Sequence, residues 1–141
     1  MKTLKSLMMG LALLLIGVAA NASTKPSQQL TKDYAINVYV DAMTHGKLDG
    51  LNKVLDESAE FSMLRGNTVL NFSRKEMLDY FQSNKNLEQP CTTTTSIVED
   101  HANVEVIKVD MKFNGFVRSN LVTISDTGDG WKITKVYSTF S

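Results

Sequence analysis

From Leu30 onward the apolar positions recur at helical spacing, with Leu30, Tyr34, Val38 and Ala42 on one line and Ala35, Tyr39 and Met43 on the next. This predicts an amphipathic helix. His45-Gly46 ends it, the glycine supplying a left-handed C-terminal position and the imidazole lying near the negative end of the helix dipole. His45 is therefore read as a cap residue. Asp49 takes the N-cap place of a second, short helix through Leu55, which buries Leu51, Val54 and Leu55. Glu60 to Leu64 reads as a strand, Arg65-Gly66-Asn67 as a turn and Thr68 to Phe72 as a return strand. Ser73 followed by Glu76 is a capping box. It opens a third helix with Met77, Leu78, Tyr80 and Phe81 on its apolar side.

After Gln89-Pro90 the pattern becomes extended and stays so. Cys91 to Val98 is Thr-rich and predicts a strand, with Glu99 to Asn103 as its turn. Ile107, Val109, Met111 and Phe113 alternate with Lys108, Asp110 and Lys112, the pattern of a half-buried strand. Val104 and Val106 fall on the opposite parity, so a β-bulge is expected near Val106-Ile107. Asn114-Gly115 is a strong hairpin signal and leads into a strand from Phe116 to Ser125. Asp126 to Gly130 then turns into a last strand, Trp131 to Phe140.

Helices grouped before a run of antiparallel strands give an α+β fold, in which the helices cover one face of the sheet. A two-residue loop at Asn114-Gly115 fixes the register: Phe113 pairs with Phe116, Met111 with Arg118, Val109 with Asn120, and Ile107 with Val122. Paired residues share a face, so Arg118 and Asn120 fall inside an otherwise apolar one. Burying such groups without partners costs on the order of 1–3 kcal/mol each. Either they find partners, Arg118 reaching the rim and Asn120 bonding a backbone group, or they line a cavity.

The first 22 residues stand apart. Lys2 and Lys5 precede an apolar run from Leu7 to Ala20, and Ala20-Asn21-Ala22 offers small residues at the positions a signal peptidase requires. The run, about 14 residues, is short of the ~20 that a spanning helix needs. Residues 1–22 are expected to be a signal peptide cleaved after Ala22, residues 23–29 a flexible leader and residues 30–141 the domain, in an exported protein, periplasmic or secreted. Cleavage takes 22 of 141 residues and two lysines, leaving 119 residues with 13 cationic against 15 anionic side chains.

That balance, with no cationic cluster in the domain, offers no footprint for nucleic acid. The single Cys makes no internal disulfide, and no Cys-x-x-Cys pair is present to hold zinc. Cys91 has no neighbouring cation to lower its pKa and reads as a buried strand-start residue rather than a nucleophile. Asp126 and Asp129 supply too few oxygens for calcium. No metal or cofactor is indicated.

The chain resembles the nuclear transport factor 2-like superfamily, which includes the SnoaL-like and ketosteroid-isomerase-like cone folds. The resemblance rests on Tyr39-Val-Asp-Ala-Met-Thr-His-Gly-Lys-Leu-Asp49-Gly-Leu, on Val54-Leu-Asp-Glu-Ser-Ala-Glu60-Phe, on Arg74-Lys-Glu-Met-Leu-Asp-Tyr-Phe81, and on Gly130-Trp-Lys-Ile133 at the start of the last strand. It covers nearly all of Leu30 to Phe140, and among small secreted members it is similar to a group labelled putative lumazine-binding. It implies a cone-shaped curved antiparallel sheet packed on three N-terminal helices (cystatin-like), a pocket between sheet and helices, a homodimer through the outer sheet face, and no obligatory cofactor. Carried over residue by residue, the isomerases' oxyanion-hole tyrosine falls on Tyr39 and their second donor on Asn120. Their general-base aspartate falls on Met63, whose thioether takes no proton at neutral pH.

The expectation that results is an exported, non-catalytic domain that binds a small apolar or planar organic ligand. Its hydrophobic pocket would use Tyr39, Arg118 and Asn120 as polar anchors among Met63, Val109, Met111 and Val122. Two alternatives stay open: an isomerase, cyclase or dehydratase whose base lies elsewhere, and a homodimeric interaction module with a collapsed pocket. What separates them is whether the pocket holds a titratable group besides Tyr39.

Overall fold

The structure is a computed structural model that describes residues 30–141, so the expected signal peptide and leader lie outside the described residues. In chain order the elements are α1 (Lys32–His45), α2 (Leu51–Val54), β1 (Leu55–Arg65), β2 (Thr68–Phe72), α3 (Arg74–Ser83), β3 (Thr92–Asp100), β4 (Val104–Phe113), β5 (Phe116–Asp126) and β6 (Trp131–Phe140). The strands form one six-stranded sheet in the order β2-β1-β6-β5-β4-β3. Helices α1 and α2 pack on β6, and α3 packs on β1. This is the expected α+β arrangement. Every neighbouring pair is antiparallel except β1 and β6, which run parallel because the chain crosses the sheet between them instead of turning back in a hairpin. Among the described residues, no helix is long and apolar enough to cross a membrane.

Local chemistry accounts for the element ends. Thr31 caps α1 by accepting the Tyr34 N–H, and Gly46 closes it in the left-handed conformation (φ 63°). Ser73 and Glu76 form the full capping box at α3. The second helix departs from expectation. Gly50 rather than Asp49 is its N-cap, at φ 81°, and the helix is one turn that ends before Leu55, which is already extended. A Cβ at Gly50 would sit 2.5 Å from the Tyr34 hydroxyl oxygen, so the tight passage between α1 and α2 requires glycine there.

The hairpin at Asn114-Gly115 has the register its sequence dictates: Phe113 opposite Phe116, Met111 opposite Arg118, Val109 opposite Asn120, and Ile107 opposite Val122. The expected bulge at Val106-Ile107 is displaced. β4 pairs with β5 without interruption, and the extra residue is Val98 on β3, opposite Val106-Ile107. With β4 regular, Glu105 occupies an inner-face position that the hydrophobic pattern reserves for an apolar residue. It is buried because the Lys32 ammonium at the start of α1 lies 3.1 Å from its Oε2. The same ammonium sits 4.8 Å from the centre of the Trp131 ring, tying helix, β4 and β6 together. A second irregularity falls between Thr123 and Ile124, where β6 carries the additional residue Thr134. Both add local twist to the sheet.

Candidate functional site

Between β1, β2 and α3 an open cavity of about 610 Å³ reaches down to β5 and β6. Its walls are Met63 on β1, Leu70 and Phe72 on β2, Met77 and Tyr80 on α3, and Phe140 on β6. These side chains converge for reasons of register. Met63 lies opposite Leu70 across the Gly66-Asn67 turn, and Phe140 lies opposite Arg118. α3 lies across β1, so Met77 is buried while Tyr80 remains half exposed at the edge. The helix thus closes one side of the cavity and β2 the other.

Arg118 is the polar centre. It borders the main cavity and two smaller spaces, one of about 40 Å³ lined by Met43 and Met111 and one of about 10 Å³ lined by Tyr39, Ser62 and Ser138. Its Nε donates to Asn120 Oδ1 (3.1 Å), its Nη2 lies 3.4 Å from Ser138 Oγ, and its guanidinium carbon sits 5.7 Å from the centre of the Phe140 ring. Ser138 Oγ also donates to Asn120 Oδ1 (2.6 Å), and Asn120 Nδ2 donates to the Val109 carbonyl (3.3 Å). No carboxylate among the described residues lies within salt-bridge distance of Arg118. Beneath it Tyr39 is fully buried, with its ring edge-on to Phe81 at 6.5 Å. Burial pushes the Tyr39 phenol up to about 12 against the opposing pull of the Arg118 charge, so the phenol is neutral at any physiological pH.

The expected site residues lie at different depths. Met63 and Arg118 line the main cavity as anticipated. Tyr39 borders only the small void below it, and Met111 only the neighbouring small space. Val109, Val122 and Asn120 line none of these spaces; each is 0% exposed and belongs to the layer beneath. Asn120 accordingly bonds a backbone carbonyl and supports Arg118. The residues not anticipated are Leu70, Phe72, Met77, Tyr80 and Phe140. Extending the hairpin-register argument to the Gly66-Asn67 turn pairs Met63 with Leu70 and would have found the β2 wall.

Titratable groups besides Tyr39 do border the cavity: Arg65, Glu76, Asp79, Tyr80 and Arg118. The two acids are engaged on their own helix. Glu76 Oε1 accepts the Ser73 N–H at 3.0 Å, and the backbone and side-chain hydrogen bonds with Ser73 hold its carboxyl below the usual range. Asp79 Oδ2 accepts from Lys75 Nζ at 2.8 Å. Neither histidine borders the cavity. His45, at the C-terminus of α1 as expected, places Nδ1 2.7 Å from Glu88 Oε2, and His101 Nε2 lies 3.5 Å from Glu99 Oε2. Burial first, and Glu88 second, push the Cys91 thiol up, the opposite of what a nucleophile needs. Among the described residues no three metal-binding side chains cluster.

A family described as putative lumazine-binding matches residues 29–138 of the chain. Curated protein sequences contain no match. Solved structures contain many. An NTF-2 like protein of unknown function from Silicibacter pomeroyi DSS-3 is similar at 16% identity and a TM-score of 0.60, over 76% of this chain and 90% of that one. An NTF2-like protein of unknown function from Shewanella baltica OS155 is similar at 10% identity and a TM-score of 0.59, over 76% and 88%. A cystatin-like fold protein from Burkholderia xenovorans LB400 is similar at 12% identity and a TM-score of 0.57, over 77% and 87%. At such identities the likeness is one of fold.

Proposed function

The chain belongs to the family described as putative lumazine-binding, within the NTF2-like fold, and we propose that it is a non-catalytic small-ligand-binding domain whose site is the cavity between β1, β2 and α3. The observation that carries this reading is the cavity itself. Its volume of about 610 Å³ falls in the range of small-molecule sites, its walls are mainly apolar, and one cation stands at its floor. The family description names lumazine, a planar fused two-ring heterocycle, and a body of that shape suits a slot walled by Phe72, Met77, Tyr80 and Phe140.

The position that the resemblance gives to the isomerases' base holds Met63, Glu76 is bonded to Ser73, and Asp79 faces Lys75 in an exposed pair on the helix surface. A carboxylate held below its usual pKa by hydrogen bonds from its own helix cap is a weak base. We place the protein outside the cytoplasm on the signal-peptide pattern of residues 1–22, and mass spectrometry of protein from its native host should find Ser23 at the N-terminus. Dimerisation through the outer sheet face is supported by Leu121, which is exposed there beside Val117 and Thr123.

The reading is tested by thermal melts with lumazine at millimolar concentration. Binding to the folded state raises the melting temperature. The rise should vanish in Leu70→Trp, which fills the slot from an exposed strand. A wild-type protein indifferent to lumazine and to naphthalene-sized planar compounds would defeat the proposal.

A further inference from the structure

We propose that the cavity selects ligands with an anionic head of carboxylate size, which docks on Arg118 while a planar apolar body lies between β2 and α3. This inference rests on the cavity being the ligand site and adds the class of ligand it takes.

Guanidinium has five N–H donors, of which Asn120 and Ser138 engage one on Nε and one on Nη2. The remainder have no carboxylate in reach among the described residues. A half-buried cation left without a counter-ion costs free energy that an incoming anion recovers. The protein has also spent structure on aiming it. Asn120 is fully buried and held by the Val109 carbonyl, Ser138 is 2% exposed and bonds the same Asn120 oxygen, and the Phe140 ring lies against the guanidinium. A cation fixed from behind in this way presents its free donors without further loss of side-chain freedom, which is how preorganisation raises affinity.

The other charges of the cavity are arranged consistently with an anion at the floor. Glu76 and Asp79 lie on the α3 wall and are already paired with Ser73 and Lys75, while Arg65 adds a second cation from the β1 end. A ligand with a cationic head would meet Arg118 unpaired.

Three probes that share one ring system separate the possibilities: 2-naphthoate, 2-naphthylmethanol and 2-naphthylmethylammonium. Each is titrated into wild-type protein and into Arg118→Gln, and the Arg118 Nε–Hε resonance is followed in the wild type. A charge-assisted pair is expected to make naphthoate roughly ten- to a hundredfold tighter than the alcohol, with the ammonium weakest. Arg118→Gln should bring naphthoate down to the level of the alcohol. Equal binding of naphthoate and alcohol, or tightest binding of the ammonium, overturns the anion assignment and leaves the cavity reading standing. A naphthoate preference that survives in Arg118→Gln overturns the role of Arg118. Binding by none of the three in protein that lumazine does stabilise overturns this inference alone, and binding by neither these probes nor lumazine overturns the cavity reading with it. Where Arg118→Gln fails to fold, the resonance decides: movement with naphthoate and not with the alcohol supports the proposal, and indifference to both refutes it.

Discussion

Asn120 uses both ends of its carboxamide, accepting from Arg118 Nε and Ser138 Oγ and donating to the Val109 carbonyl. Leucine is close in size and satisfies none of these. Asn120→Leu should therefore lower stability by about 1–3 kcal/mol, because it orphans buried groups rather than removing a ligand contact. Urea denaturation measures this, and an unchanged midpoint would show that the network contributes nothing. Tyr39 makes a pH-dependent counterpart. Its phenol is pushed up to about 12 in the folded chain against about 10 when unfolded. Its contribution is complete below pH 10 and is lost as pH rises, at about 1.4 kcal/mol per unit until about pH 12, because the unfolded chain releases the proton first. Wild type should thus lose stability faster than Tyr39→Phe between pH 10 and pH 11.5, and parallel curves would contradict the assignment. The sequence exposed Asn120 as a polar residue on an apolar face. It did not reveal that the partner was Ser138 on another strand, since that contact depends on β5 and β6 lying side by side.

Among the elements, those closed by local chemistry were legible and those set by distant contacts were not. Ser73 and Glu76 cap α3 within one turn, and Asn114-Gly115 sets ten paired positions of β4 and β5 by geometry alone. The bulge lies on β3 and not on β4, where the inner face accepts Glu105 because its ion pair with Lys32 joins residues 73 positions apart. The C-terminus of α1 shows the same coupling of near and far. Gly46 caps the helix, and the chain after α3 returns onto it, Asn86 N–H donating to the Gly46 carbonyl at 2.9 Å. A Cβ on Gly46 would stand 2.5–2.7 Å from backbone atoms of Asn84, Asn86 and Leu87. Gly46→Ala should cost at least about 2 kcal/mol, the left-handed conformation alone accounting for about half. A melting temperature within a degree of wild type would show that the loop yields freely.

For the whole molecule, the fold followed from the order of periodicities: two helical segments, a short hairpin, a third helix and then long extended strands. The site followed less fully, because alternation along a strand says which face a residue is on and not how deep it lies. Val109, Val122 and Asn120 share a face with Arg118, yet they are sealed while Arg118 reaches open space. The difference arises from α1, which covers the middle of the sheet, and from β2 and α3, which stand apart at one end. The proposed dimer would form through the other face, where Leu121 is exposed. Light scattering at micromolar concentration should give twice the mass of the chain, and a monomer mass would leave that face without its partner.

The central claim is that this end of the sheet holds a ligand, and the methionines are well placed to report it. Met63 and Met77 line the cavity, whereas Met43 and Met111 line only the neighbouring small space. In protein labelled at the methionine methyl groups, titration with lumazine or 2-naphthoate should shift the Met63 and Met77 resonances and leave Met43 and Met111 in place. Shifts confined to Met43 and Met111, or none up to the solubility limit of both compounds, would contradict it.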